Sequence, residues 1–337
     1  MISRLTAYAV TTAAFAALLG ACGGGSSGGN GTRQSHTVSV NVSGLSGSLA
    51  LQLTPGGTAL TVTGDGVSTF GTTVNSGAIY GVTVTSQPAG QYCAIDNNAG
   101  AVTADVTLSV TCNTSLGGIW KASANGTQYL EVADEMGDFY VLGTTSASVG
   151  YGVTLTELDD GLANVNNNAV SGTYIGVSGP NPGSGTLSGT IVSGSTLDLI
   201  TQFSTSGGSI SSQTLNYSYD SLYQVPSSLT AISSNYVDSE NNVWSISGTG
   251  IANVDSPSTG CVGNGQVSII DDRYNVYGIQ LVYANCTGSS KYLNRLQFFG
   301  IVTLDTEVSP AVIIGGVAAA LPSDQGELLL PFLLQSN

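Results

Sequence analysis

From Thr37 onward, apolar and polar residues alternate at every second position, the pattern of half-buried β-strands. Val38, Val40 and Val42 share one phase, as do Leu49, Leu51 and Leu53, then Leu60 and Val62. Tyr80, Val82 and Val84 form another set, and Val106, Leu108 and Val110 run straight into Cys112. Turn signals separate these runs: Pro55-Gly56-Gly57, Gly64-Asp65-Gly66, Asn75-Ser76-Gly77, Pro88-Ala89-Gly90 and Asn97-Asn98-Ala99-Gly100. The spacing predicts a small antiparallel sandwich over 37–113.

Asn113-Thr114-Ser115-Leu116-Gly117-Gly118 marks a boundary, and a larger antiparallel β-domain, barrel or sandwich, is expected over 118–337. Its strands are read at Gln128–Val132, Phe139–Leu142, Tyr151–Thr156, Leu187–Val192, Leu197–Phe203 and Val243–Ile246. Ala163–Gly185, rich in Asn, Gly, Ser and Pro, reads as a long loop around one short strand. Asp220 is placed to cap a brief helical patch at Ser221–Tyr223, which Val225-Pro226 would end. No long stripe at helical period occurs, so the fold class is all-β.

The N-terminus departs from this pattern. Met1–Arg4 is a short basic segment, and Leu5–Leu19 is an apolar run too short to span a bilayer, which reads as an export signal over 1–21. Leu19-Gly20-Ala21-Cys22 resembles the lipobox of bacterial lipoproteins. That resemblance implies cleavage before Cys22, lipid on its thiol and its amine, and attachment to a membrane. The Gly/Ser-rich stretch that follows, within 22–36, reads as a flexible tether with His36 at its end. Gly23 after the cysteine, rather than an aspartate, implies delivery to the outer membrane by the lipoprotein rule.

Five cysteines leave one unpaired, and Cys22 is the odd one. Cys112 continues an inward-facing series, which makes Cys93 its expected partner. Cys261 and Cys286 flank a hairpin centred on Asp271-Asp272-Arg273 and would face each other across its open end. The other two pairing schemes would link the two domains.

Val42-Ser43-Gly44-Leu45, Tyr80-Gly81-Val82-Thr83-Val84, Gln87-Pro88-Ala89-Gly90-Gln91-Tyr92-Cys93 and Val110-Thr111-Cys112 resemble an immunoglobulin-like module of proteobacterial surface lipoproteins. The resemblance implies a spacer without catalytic residues. From about residue 118 the chain resembles a group of uncharacterised secreted proteobacterial proteins. The matching residues are Tyr219–Tyr223, Pro226–Leu229, Cys261–Asp271 and Tyr274–Tyr277. No activity is implied by that likeness.

Composition narrows the chemistry. Six basic residues against 21 acidic ones give a net charge of −15 and exclude a nucleic-acid footprint. A single histidine, in the tether, leaves no base for an acyl-transfer triad. With the cysteines assigned, no thiol or imidazole metal site remains, and no cofactor is expected. Asp238–Asn242 reads as a turn rather than a calcium loop. Glu131, Glu157 and Asp198 lie in or near strands and are the acids available to a carboxylate-based hydrolase.

Tyrosines are the better lead, because each joins an apolar face to a hydroxyl. Tyr217, Tyr219, Tyr223 and Tyr274 are the candidates for contact with a glycan or protein; Tyr274 is read as exposed and Tyr277 as buried on the opposite face of the hairpin. The expectation is a lipid-anchored, non-enzymatic protein of the cell envelope, acting in surface binding or adhesion. Small-ligand binding in a calycin-like barrel, opening at Gly118-Ile119-Trp120, is the alternative. A carboxylate hydrolase stands third.

Overall fold

The computed structural model describes residues 34–179, 181–321 and 326–337. The export signal, Cys22 and the tether up to residue 33 lie outside the described residues. The chain divides into two compact units, ending and beginning at Cys112 and Asn113.

The first unit holds strands β1 (Ser35–Ser43), β2 (Leu49–Thr54), β3 (Thr58–Val62), β4 (Gly66–Asn75), β5 (Ile79–Ser86), β6 (Gln91–Ile95), β7 (Ala99–Ala101) and β8 (Val106–Thr114). They form two four-stranded sheets, β4-β1-β8-β6 and β3-β2-β5-β7. The period-two residues become the core between them: Val38, Val40, Leu49, Leu51, Leu53, Val82 and Val110 are fully buried. One pairing departs from the antiparallel expectation. β1 and β8 run parallel, in register from Val38–Val106 to Ser43–Thr111. Cys93 and Cys112 are bonded between neighbouring strands β6 and β8 of one sheet, both buried. His36 is not a tether residue: it sits in β1, 7% exposed, with Nδ1 3.8 Å from Asp105.

The second unit is built from two closed barrels of eight strands each. The first comprises β9 (Gly118–Ala124), β10 (Thr127–Ala133), β11 (Asp138–Thr144), β12 (Leu155–Asn166), β13 (Ala169–Ser178), β14 (Asn181–Val192), β15 (Thr196–Thr205) and β16 (Ile210–Tyr219). Every neighbour is antiparallel, and β16 closes on β9 through Ser218–Lys121 and Tyr219–Trp120. The second comprises β17 (Ser234–Val237), β18 (Val243–Ile246), β19 (Ile251–Ser256), β20 (Cys261–Ile269), β21 (Tyr277–Ala284), β22 (Gln297–Asp305), β23 (Val312–Ala320) and β24 (Glu327–Ser336), with β24 closing on β17. Closure removes the unpaired edges of each sheet. Cys261 and Cys286 are bonded at the open end of the β20–β21 hairpin.

The expected loop at Ala163–Gly185 is instead parts of three long strands, β12 to β14. The reason is packing. Gly161, Gly183 and Gly185 lie under the rings of Phe139, Phe203 and Tyr174, and a Cβ at any of them would run into the ring. Glycine on one strand makes room for an aromatic on the strand paired beside it, so these strands lack some of the large apolar residues that mark a strand in sequence.

The barrels pack against each other within this unit. Leu130, Val132, Tyr140, Leu142 and Leu158 point out of the first barrel yet are buried. The Tyr140 ring lies over Gly316 of β23, and its hydroxyl donates to the Phe299 carbonyl at 3.1 Å. Both faces of β10 and β11 are thus covered, which is why their sequence is apolar almost throughout. Between the barrels runs a 3-10 helix, Ser221–Gln224, capped by Asp220, whose Oδ1 accepts from the Leu222 N–H at 2.9 Å.

Candidate binding site

Along β10, Tyr129, Glu131 and Ala133 point into the first barrel, and along β12, Glu157, Asp159, Gly161 and Ala163 do. β11 lies between them, so Glu131 faces Val141, which faces Asp159, while Tyr129 faces Gly143, which faces Glu157. Two layers of acidic groups result, the deeper holding Glu131 and Asp159. Gly143 and Gly176 leave the space they fill: a Cβ at Gly143 would press on Glu157 and Tyr129, and one at Gly176 on the Asp159 carboxyl. Tyr174 from β13, Gln213 and Tyr217 from β16, and Tyr129 complete the polar interior.

The Gln213 side-chain nitrogen donates to the Tyr129 hydroxyl at 3.0 Å, leaving that hydroxyl's proton for Glu157 Oε2 at 3.4 Å. Glu131 is 1% exposed and Tyr217 2%. Glu131 Oε2 and the Tyr217 hydroxyl each lack a hydrogen-bond partner among the described residues, although Tyr217 stands close to Glu131. Native interiors pair nearly all such groups.

Burial governs the protonation of the cluster. It pushes the Glu131 carboxyl up to about 8, with the Tyr217 hydroxyl beside it pulling back. Asp159 is raised well above the ordinary carboxylate range, first by burial and then by the Glu157 charge. Glu157 is raised by burial, opposed by hydrogen bonds from Asp159 and Tyr129. Burial followed by the Glu131 charge raises Tyr217, and burial followed by the Asp159 charge raises Tyr174. The only basic residue in β9–β16 is Lys121, which is half exposed and paired with Asp220 outside the barrel. The interior acids therefore have no cation of their own.

No family model matches the chain, and neither a curated protein nor a solved structure matches it.

The structure redistributes the residues picked out in the sequence. Glu131 and Glu157 share the interior, but Asp198 points outward from β15 and is exposed. Its place is taken by Asp159. Tyr217 is inside the barrel, and Tyr223 is 2% exposed with its hydroxyl donating to Glu135 Oε1 at 2.5 Å. Neither is placed for surface contact. Tyr219 is half-buried at the opposite barrel end, 5.1 Å from Trp120 edge-on. Tyr274 is half-buried and stacks on Tyr223 at 4.8 Å, with the Arg273 guanidinium 5.0 Å from its ring centre. The hairpin parity that set Tyr274 apart does not apply, because β21 begins at Tyr277 and Tyr274 lies in the turn. Asp271 Oδ1 holds that turn by accepting from the Arg273 N–H at 3.0 Å.

Asp159, Tyr129, Tyr174 and Gln213 escaped the sequence reading. The signal was present for two of them: Tyr129, Glu131 and Ala133, and Glu157, Asp159 and Gly161, carry acids in phase with small residues. Among the described residues, no group of three or more acidic, histidine or cysteine side chains is arranged to hold a metal ion.

Proposed function

We propose that the protein is a lipid-anchored, non-enzymatic component of the outer membrane whose barrel β9–β16 binds a small polar ligand. The observation that carries this reading is the pair of buried, unpartnered groups inside the barrel, Glu131 Oε2 and the Tyr217 hydroxyl. Buried polar groups left unsatisfied cost stability, so their retention fits a ligand that supplies the missing partners. Closed antiparallel barrels of eight strands are wide enough to hold one small ligand. Glu157 and Gln213 are half-buried and are the members of this polar interior nearest to solvent. The two disulfides support a non-cytoplasmic location, and the lipobox-like Leu19–Cys22 supports the anchor.

Two measurements test this. Cys22→Ser should lose palmitate incorporation and leave the protein unprocessed or soluble; unchanged labelling removes the anchor. Thermal melts of the full chain against a panel of small polar compounds should find at least one that stabilises the parent and not Tyr217→Phe. A panel spanning amines, polyols and carboxylic acids that shifts neither protein refutes ligand binding in the barrel.

A further inference from the structure

We propose that the ligand of barrel β9–β16 is a small organic ammonium ion, received by Glu131 and the Tyr217 hydroxyl, with Glu157 and Asp159 in the same interior. The proposal rests on the ligand-binding reading and names its chemistry. Three carboxyl groups point into one barrel that holds no basic side chain. Burial holds these carboxyls toward their protonated forms, so an anionic ligand would oppose their ionisation, a neutral one would leave it unchanged, and a cation would favour it. An ammonium group brings three N–H donors and one positive charge, matching the two oxygens left without a partner, Glu131 Oε2 and the Tyr217 hydroxyl. Tyr217 is the independent sign: its hydroxyl is buried, unpartnered and turned toward Glu131, and its oxygen can accept one of those donors.

The surroundings suit an organic cation better than a metal ion. No three of the acids are arranged as metal ligands among the described residues. Rings line the same space: Tyr129 beside Glu157, and Tyr174 stacked with Phe203 at 6.0 Å between centres and 12° between planes. Their faces attract a cation and cover an apolar body attached to it.

Cation binding should displace protons. The titratable groups facing the cluster are Tyr129 and Glu131 from β10, Glu157 and Asp159 from β12, Tyr174 from β13 and Tyr217 from β16. β9, β11, β14 and β15 contribute inward residues that do not titrate, including Trp120, Val141, Leu187 and Leu199. Asp160, buried on the outer face of β12, adds to the negative field at Asp159. All of these groups favour bound protons in the empty barrel, so an ammonium ion competes with protons and binds better as pH rises.

The experiment is calorimetric titration of the full chain with straight-chain and phenyl-substituted primary ammonium ions of two to eight carbons, each beside its neutral alcohol. Runs at pH 6 and pH 8, in two buffers of different ionisation enthalpy, count the protons released. Expected results are at least tenfold tighter ammonium than alcohol binding, tighter binding at pH 8 than at pH 6, and release of protons on binding. Glu131→Gln and Tyr217→Phe should each weaken the ammonium at least tenfold while melting cooperatively. A Tyr217→Phe variant that melts higher and binds unchanged assigns Tyr217 to the core alone and overturns its role. Alcohols binding as tightly as ammonium ions would overturn the cation class while leaving ligand binding intact. Failure of both series overturns both.

Discussion

Replacing Glu131 with Gln keeps the side-chain shape and removes the proton equilibrium. In the unfolded chain the carboxyl titrates near its ordinary value of 4.5; in the barrel, burial moves it to about 8. A carboxyl raised on folding binds more protons in the native state than in the unfolded one between those two values. Its effect on stability is therefore neutral below about pH 4, grows steadily unfavourable as pH rises, and levels off above about pH 8. At roughly 1.4 kcal/mol per pH unit, the penalty reaches about 3 kcal/mol at pH 7 and about 5 kcal/mol at its limit. Glu131→Gln escapes it. Urea unfolding at pH 4, 5.5, 7 and 9 should show a stability difference between variant and parent that widens with pH, in favour of the variant. Taking the difference cancels the slope contributed by Glu157, while Asp159, raised in part by the Glu131 charge, is relieved in the variant and adds to the same trend. Parallel curves, or an advantage that shrinks with rising pH, would refute the assignment of Glu131 as a buried neutral acid.

The second-barrel disulfide closes a separation of 25 residues, so replacing Cys261 and Cys286 together by Ser should cost roughly 3 kcal/mol on the chain-entropy model, read from the urea midpoint without reductant. An unchanged midpoint contradicts it. Gly161→Val drives a side chain into the Phe139 ring and should cost at least about 1–3 kcal/mol, partly restored by Phe139→Leu. Without that restoration, the small-against-large packing of the wall is wrong. Tyr277, fully buried with its hydroxyl accepting from the Ser228 N–H at 3.1 Å, should cost about 3–5 kcal/mol when cut to Ala. Tyr274→Ala, which loses one ring stack, should cost about 1 kcal/mol, and equal losses at the two sites would contradict their placement.

The sandwich was legible because its core residues are large, apolar and spaced by two. Val38, Val40 and Val42 say both that β1 is a strand and which face is buried. The Asp220 cap was legible because capping is local. β12 to β14 were hidden, since several of their interior positions carry glycine and a strand's apolar phase disappears when the strand paired beside it supplies the bulk. Barrel closure was hidden too. The pair Ser218–Lys121 spans 97 residues and leaves no local trace. The acidic site was half visible: Glu131 and Glu157 stood out as acids in strands, but only strand parity separates Asp159, facing inward, from Asp198, facing water. Tyr274 is half-buried rather than exposed because β21 begins at Tyr277, so the alternation of hairpin faces does not reach it.

The parallel pairing of β1 with β8 has a mechanical consequence. The first unit's chain enters along β1 and leaves along β8, side by side and pointing the same way, so a pull on its two termini loads that pair lengthwise. Six register pairs, from Val38–Val106 to Ser43–Thr111, then share the load in shear instead of opening one after another. Rupture under such a pull is governed by the rate of unfolding rather than by equilibrium stability. Once the pair gives way, the Cys93–Cys112 bond still holds back the 19-residue separation it spans, withholding about 65 Å of extension at full stretch. Under reducing conditions that length is released, so the distance the unit extends when pulled apart reports the oxidation state of one bond.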